Sequence, residues 1–220
     1  MNFLAHYLAD HIPNHHYHNT GLILPDITRG FVSGFRNAPP NGSPPEFDGF
    51  FSGCSAHYKS DKIFHGSNFF HKYQEKTNDL LKSSGFGNSF SRKWFISHVI
   101  IELFLDRMII KTDESIADAF YDTLSKTKDS ILESYLLAYD CEDVEGFMEK
   151  YKHFRSVKYI YHYRNNNKFV YSLNRIMLRA GLKGLNEPDV KLLEELPTFM
   201  ESSLISSPQD FIDEFREIFK

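Results

Sequence analysis

Apolar side chains recur three or four residues apart along most of this chain. Phe147, Tyr151 and Phe154 show this spacing, and Phe211 and Phe215 repeat it later in the sequence. Such a period puts apolar residues on one face of an α-helix, whereas the strict alternation of a half-buried strand is rare here. The sequence therefore predicts an all-α fold, a single-domain multi-helix bundle over residues 1–220.

Glycine and serine residues mark where the predicted helices end and begin. Gly66 is expected to bend the first long helix, Gly85 and Gly87 to separate it from the next, and Ser89 or Ser91 to cap that next helix. The predicted helices cover residues 50–81, 92–110, 113–138, 144–163, 169–180, 188–199 and 208–219.

Composition excludes several classes of protein. Hydrophobic residues make up 41% of the 220 residues and charged residues 25%, which is ordinary globular usage. Two cysteines, Cys54 and Cys141, are too few for a disulfide framework. A net charge of −4 gives no general attraction to nucleic acid. The N-terminal segment does not resemble a signal peptide and no apolar run could span a bilayer, so we expect a cytoplasmic protein.

Two predicted helices each carry a stripe of residues that can bind metal ions. The stripes are His57, Asp61 and His65, and His98, Glu102 and Asp106. Residues four apart share one face of a helix. An ionised carboxylate such as Glu102 in an apolar helix needs compensation, and a divalent cation provides it. Helical bundles build metal sites from ligands on facing helices, so the stripes predict a metal centre.

Each stripe can also be interpreted without a metal ion. His57 and Asp61 can form an ordinary surface contact, and Glu102 can pair with nearby Arg107 or Lys111. A further group of histidines forms either a polar loop or a zinc-binding tract: His11, His15, His16 and His18.

Residues nearer the N-terminus add two candidates. Asp26 follows Pro25 at a predicted helix start, where it is either a first-turn acid or a metal ligand. Arg29, three residues on, could contact a phosphate. His6 lies in an apolar segment, where a core histidine is the alternative to a ligand.

Three motifs of this sequence occur in a fixed order: Met1-Asn2-Phe3-Leu4-Ala5-His6, the segment Gly21-Leu-Ile-Leu-Pro-Asp26-x-x-Arg29-Gly30, and His57-x-x-x-Asp61. Together they resemble the motifs of the acyl carrier protein phosphodiesterase family. The resemblance covers roughly residues 1–110. It implies a helical, metal-dependent hydrolase that releases 4′-phosphopantetheine from holo acyl carrier protein. It also implies that His6, Asp26, His57 and Asp61 are site residues.

The chain departs from the family pattern at several positions. Tyr58 and Lys59 stand where the family has two arginines, and His65 stands where it has an acid. The family's later Asp-x-x-x-Asp-His segment appears as His98-x-x-x-Glu102-Leu103. The order of histidines and acids is more distantly similar to that of zinc-dependent, phospholipase C-like all-α hydrolases.

The resemblance and the two stripes suggest a metal-dependent phosphodiesterase. One or two Mn²⁺, Zn²⁺ or Fe²⁺ ions would be held by Asp26, His57, Asp61, His98 and Glu102, with His6 and His65 completing the set. Asp61 would act in catalysis, and Arg29 and Lys59 would hold phosphate oxygens. Glu102 or Asp106 could instead orient His98.

The division of the chain follows from this hypothesis. Residues 1–111 would carry the site and a basic rim for an acidic acyl carrier protein, and residues 112–220 would complete the bundle. Two alternatives stay open: a phosphoesterase that acts on a lipid or nucleotide, and a non-catalytic helical binding protein with a structural metal site.

Overall fold

The computed structural model of the chain describes residues 1–86 and 93–220. This part is all-α, which confirms the predicted fold class, and its only strand-like feature is an isolated bridge between Arg29 and Val32. The predicted helix break at Gly87 and the cap at Ser89 or Ser91 lie outside the described residues. A bilayer span needs about 20 consecutive apolar residues, and no helix within the described ranges meets that requirement.

The described part of the chain contains twelve α-helices and one 3₁₀ helix. They are α1 (Phe3–Asp10), α2 (His16–Gly21), α3 (Leu24–Ile27), α4 (Pro45–Gly66), α5 (Asn68–Ser83), α6 (Lys93–Thr112), α7 (Glu114–Lys126), α8 (Asp129–Leu137), α9 (Val144–Val157), the 3₁₀ helix (Tyr159–Arg164), α10 (Asn166–Arg179), α11 (Glu187–Ser203) and α12 (Pro208–Glu217).

Three predicted helices are shorter than their apolar patterns suggested. The bend expected at Gly66 is a complete break, because Ser67 is extended and its hydroxyl caps α5 by accepting from the Phe70 amide at 3.1 Å. The predicted helix 113–138 is divided at Lys128, which is also extended. The predicted helix 144–163 ends at Val157, because Lys158 adopts a left-handed conformation at φ 49°.

The chain divides into two compact units. The N-terminal unit consists of Phe3–Lys62 and Ser115–Tyr159, and the C-terminal unit consists of Met1–Asn2, Ile63–Glu114 and Ile160–Lys220. The expectation of one domain for the whole chain stays a prediction.

Helices α2 and α4 approach closely in the N-terminal unit because glycines line their crossing. A Cβ atom at Gly53 would overlap the carbonyl oxygen of His18 and lie 2.8 Å from the Cα atom of Gly21. A Cβ atom at Gly21 would overlap the carbonyl oxygen of Phe50 and lie 3.0 Å from the Cα atom of Gly53. The two backbones therefore touch without intervening side chains, which fixes α4 against α2.

Helix α6 is the centre of the C-terminal unit, where it packs against α5, α10 and α12. The rings of Phe104 and Phe211 meet edge to face at 5.5 Å in this core. Buried Arg107 donates to the carbonyl oxygens of Tyr163 and Arg164 at 2.7 and 2.8 Å, and to Glu201 at 2.6 Å. These bonds use three of the five N–H groups of the guanidinium and anchor the 3₁₀ helix and α11 to α6.

Candidate metal centres

The structure brings six of the seven predicted ligands together in two groups of three. The His6 cluster consists of His6, Asp26 and His57 and lies in the N-terminal unit. The His98 cluster consists of His65, His98 and Glu102 and lies in the C-terminal unit. In each cluster, one ligand atom from every residue lies within 4.8 Å of the other two. Helix α4 supplies His57 to the first cluster and His65 to the second.

Hydrogen bonds set the orientation of both imidazoles in the His6 cluster. The His57 Nδ1 atom donates to the carbonyl oxygen of Leu22 at 2.8 Å. The His6 Nδ1 atom donates to the Ser60 hydroxyl at 3.3 Å, and that hydroxyl in turn donates to the His57 carbonyl at 3.2 Å. The two rings stack with centroids 3.8 Å apart. Because each Nδ1 atom carries a proton, each Nε2 atom presents a lone pair, as in metal-binding histidines.

Two charged groups border the His6 cluster. An Asp61 carboxylate oxygen lies 3.9 Å from His6 Nε2, so the seventh predicted ligand stands beside the cluster. An Arg29 guanidinium nitrogen lies 3.9 Å from a carboxylate oxygen of Asp26, and the Arg29 side chain is 85% exposed. An accessible guanidinium group next to imidazole and carboxylate ligands can bind an anion together with a cation.

Tyr58 and Lys59, which follow His57 on α4, have different surroundings. Lys59 is exposed on α4, but it is two residues from both His57 and Asp61, so it leaves the helix on a different face from them. Tyr58 accepts a hydrogen bond from the Phe35 amide at 3.2 Å, and the Arg36 guanidinium stacks on its ring at 5.4 Å. The loop before α4 therefore places the Arg36 guanidinium against the Tyr58 ring.

The His98 cluster brings two imidazole nitrogens and one carboxylate oxygen so close together that hydrogen bonds cannot account for all three contacts when the carboxylate is ionised. The Nε2 atoms of His65 and His98 are 3.0 Å apart, and they lie 3.1 and 2.9 Å from the same Glu102 oxygen. Each nitrogen has one proton or one lone pair in the ring plane. If both nitrogens donate to Glu102, two N–H groups face each other. If one donates to the other, a lone pair faces the carboxylate. With Glu102 ionised, one of the three contacts is therefore repulsive in every protonation state of the two imidazoles.

A single cation would satisfy all three atoms of the His98 cluster. Neighbouring ligands of an octahedral ion bound at about 2.1 Å stand about 3.0 Å apart, which matches the observed separations of 2.9 to 3.1 Å. Two histidines and one carboxylate on one side of an ion leave the remaining positions open for water or substrate. All three side chains are half-buried, so solvent reaches them.

The charge of Glu102 is stabilised by its neighbours in the cluster. Burial raises the pKa of Glu102, but the amino group of Met1, 3.1 Å away, and the imidazoles of His65 and His98 hold this pKa well below its usual range. The alternative in which Arg107 or Lys111 neutralises Glu102 is wrong, because both cations bind Glu201, at 2.6 and 2.5 Å.

The remaining candidates have other partners. Buried Asp106 accepts a hydrogen bond from the Asn2 amide at 2.8 Å and belongs to neither cluster. His18 uses both ring nitrogens, one with the Ser52 hydroxyl and one with the Asp10 carbonyl, each at 3.1 Å, so it has no lone pair for zinc. Within the described residues, His11, His15 and His16 join neither cluster.

Several residues that shape the His6 cluster were not predicted from the sequence. The Leu22 carbonyl cannot be recognised from sequence, because any residue supplies one. Ser60 could have been noticed, since it follows His57 by three residues and therefore shares its side of α4. Arg36 reaches Tyr58 from a loop, where no periodicity indicates direction.

Comparisons of the chain with protein-family models, with curated proteins and with solved structures find no match. The resemblance to acyl carrier protein phosphodiesterases therefore rests on the motifs of the sequence.

Proposed function

We propose that the chain is a metal-dependent hydrolase of phosphodiester bonds and that the His6 cluster is its reaction centre. The observation that carries this proposal is the meeting of three separate motifs in one unit: His6 from the first, Asp26 from the second, and His57 with Asp61 from the third. Arg29 at 3.9 Å from Asp26 adds a cation for the phosphate. Metal-assisted hydrolysis of a phosphodiester uses a Lewis acid together with a group that binds the non-bridging phosphate oxygens.

The residues of the His6 cluster have separate roles in this proposal. His6 and His57 would bind an ion through their Nε2 atoms, and Asp26 would bind it through a carboxylate oxygen. A divalent cation, Mn²⁺, Zn²⁺ or Fe²⁺, would lower the pKa of a bound water and neutralise phosphate charge. Leu22 and Ser60 hold the imidazoles in the required tautomer.

Asp61 is the group that would move the proton. It would accept a proton as a water oxygen attacks phosphorus, and the phosphorus–oxygen bond to the leaving alcohol would break with its electron pair on the alcohol oxygen. That oxygen would then take the proton from Asp61. The products are a phosphomonoester and an alcohol, and Arg29 would hold a non-bridging oxygen throughout.

Holo acyl carrier protein is the substrate that the family resemblance favours. Its phosphodiester joins 4′-phosphopantetheine to a serine hydroxyl, so the products would be free 4′-phosphopantetheine and apo acyl carrier protein. The test is mass spectrometry of holo acyl carrier protein incubated with the chain after reconstitution with each of the three ions. We expect the mass of the carrier protein to fall by that of the prosthetic group.

Other outcomes of this assay distinguish the alternatives. Hydrolysis of bis(4-nitrophenyl) phosphate or of a glycerophosphodiester without conversion of the carrier protein would overturn the substrate and retain the phosphodiesterase. Metal binding without hydrolysis of any of these compounds would overturn the enzyme and favour a helical binding protein.

We propose that the His98 cluster binds a second ion, and metal content tests this. Untagged protein that has been chelated and dialysed against Mn²⁺ is expected to hold two ions per chain, whereas His98→Ala and His57→Ala should each hold one. Each substitution removes one of only three ligands in its cluster. The measurement is inductively coupled plasma mass spectrometry.

A surface histidine provides the control for metal content. His153→Ala, at an exposed position on α9, should retain both ions. If His98→Ala also holds two ions, the His98 cluster is not a metal centre and its short contacts need another explanation.

A further inference from the structure

A long stretch of the sequence contains no acidic residue. Between Glu149 and Glu187 there is no Asp or Glu, although this stretch holds nine of the 25 Lys and Arg residues. The chain as a whole has 29 acidic residues and a net charge of −4, so the positive charge is concentrated in one part of the sequence. Helix α10 lies within this stretch and carries no acidic side chain.

The exposed side of α10 combines cations with large apolar side chains. Lys168, Arg175 and Arg179 are exposed there, together with Tyr171 at 62% and Leu178 at 46% exposure. At 100° per residue these five positions fall within an arc of about 100°. The opposite side of the helix is buried in the core: Phe169, Val170, Leu173 and Met177.

The cations of this face have no acidic partner in the part of the chain that the structure describes. Arg164, just before α10, is held by Glu114 through two hydrogen bonds at 2.7 and 2.8 Å. Within residues 1–86 and 93–220, no carboxylate stands at ion-pair distance from Lys168, Arg175 or Arg179, so their charge faces solvent. Exposed cations beside Tyr and Leu are typical of a surface that binds an acidic protein.

The charge of the neighbouring helix restricts what can bind. Helix α11 packs against α10 and carries five acidic residues against one cation, Lys191. Lys191 pairs with Glu187, and Glu201 binds the two cations of α6, so three acidic residues of α11 keep their negative charge uncompensated by these pairs. A membrane or a nucleic acid duplex presents a broad anionic surface, which α11 would repel. A single helix is about 10 Å wide and can follow α10 alone.

We propose that the exposed face of α10, and not the basic rim expected within residues 1–111, is the docking surface for an acidic amphipathic helix of the protein that carries the phosphodiester. The identity of that protein rests on the proposed function. Acidic side chains of the docked helix would meet Lys168, Arg175 and Arg179, and its apolar side chains would cover Tyr171 and Leu178.

Binding of apo acyl carrier protein to the full chain tests this surface apart from catalysis, because the apo form has no phosphodiester to cleave. Titration calorimetry should show that Arg175→Glu/Arg179→Glu weakens binding at low salt by about tenfold or more and makes it less dependent on salt. Tyr171→Ser should weaken binding without changing the salt dependence.

A variant with the same change in charge provides the control. Lys191→Glu/Arg216→Glu reverses two exposed cations on α11 and α12, which pair with Glu187 and Asp213. This variant should bind within about twofold of wild type, since its charges lie off the α10 face.

The outcomes separate the docking surface from the proposed function. Hydrolysis of the holo form with unchanged KM in Arg175→Glu/Arg179→Glu would overturn the surface and leave the function standing. Loss of apo binding in that variant, with no hydrolysis by wild type, would support the surface and overturn the function. No binding of the apo form by wild type would overturn the surface. Binding to phosphatidylglycerol vesicles or duplex DNA instead, lost in the same variant, would overturn the acidic helix as its occupant.

Discussion

Replacing His57 by alanine is expected to lower the rate of holo acyl carrier protein hydrolysis by about a thousandfold or more. The substitution removes one of the three ligands of the His6 cluster, and with it the ion that would activate water and neutralise phosphate, a contribution of several kcal/mol. Asp26→Asn should act similarly, since the amide keeps the shape of the side chain and removes its charge. Initial rates by mass spectrometry, with metal content measured on the same samples, test both variants.

Controls separate this loss from unfolding. His57 is buried and donates to Leu22, so His57→Ala also removes packing and a hydrogen bond, whereas Asp26 is half-buried and its Asn variant should melt near the wild-type temperature. His153→Ala should keep full activity, because this side chain is exposed on α9. If both His57→Ala and Asp26→Asn retain activity within tenfold of wild type, the reaction centre is elsewhere.

From residue 45 onward, apolar periodicity located the helices of this chain more accurately than it located their ends, but it did not predict α1 or α2. The apolar period indicates which residues face a core. It continues across the break between two helices when both helices face the same core. Ser67, Lys128 and Lys158 end or divide predicted helices through their own backbone conformation. A serine cap is visible in the sequence, but an extended or left-handed lysine has no such signature.

The ligand types could be predicted from the sequence, but their grouping could not. Spacing along α4 places His57, Asp61 and His65 in one stripe, yet His57 and His65 belong to different clusters. Partners in a cluster come from segments far apart in the chain, such as residues 6 and 26, and spacing within one helix contains no information about them.

Proximity in sequence also suggested the wrong partner for Glu102. Arg107 and Lys111 follow it by five and nine residues, which places them about 140° and 180° around α6 from Glu102. They therefore face α11, where they bind Glu201. Burial raises the pKa of Glu201, but hydrogen bonds from Lys111 and Arg107 lower it below its usual value. Glu102 lies on one face of α6 and the two cations lie on the opposite face, so each side binds its own partners.

Replacing Gly53 by alanine is expected to lower the stability of the chain by about 3 kcal/mol or more. The added Cβ atom would overlap the His18 carbonyl oxygen and stand 2.8 Å from the Cα atom of Gly21, and backbone atoms cannot rotate away as a side chain can. Alanine favours a helix interior over glycine by about 1 kcal/mol, which is too little to offset the overlap. For a chain of this length, the melting temperature should fall by about 6 °C or more.

The same substitution should weaken metal binding at the His6 cluster. Leu22 directly follows Gly21, so separation of α2 from α4 would pull the Leu22 carbonyl away from His57 Nδ1, now 2.8 Å from it. Gly66→Ala is the matched control, because a Cβ atom at Gly66, the last residue of α4, meets nothing within 4 Å. Its melting temperature and metal content should stay close to wild type. A Gly53→Ala variant that melts at or above the wild-type temperature would mean that α2 and α4 are farther apart than described, and that the Leu22 carbonyl does not orient His57.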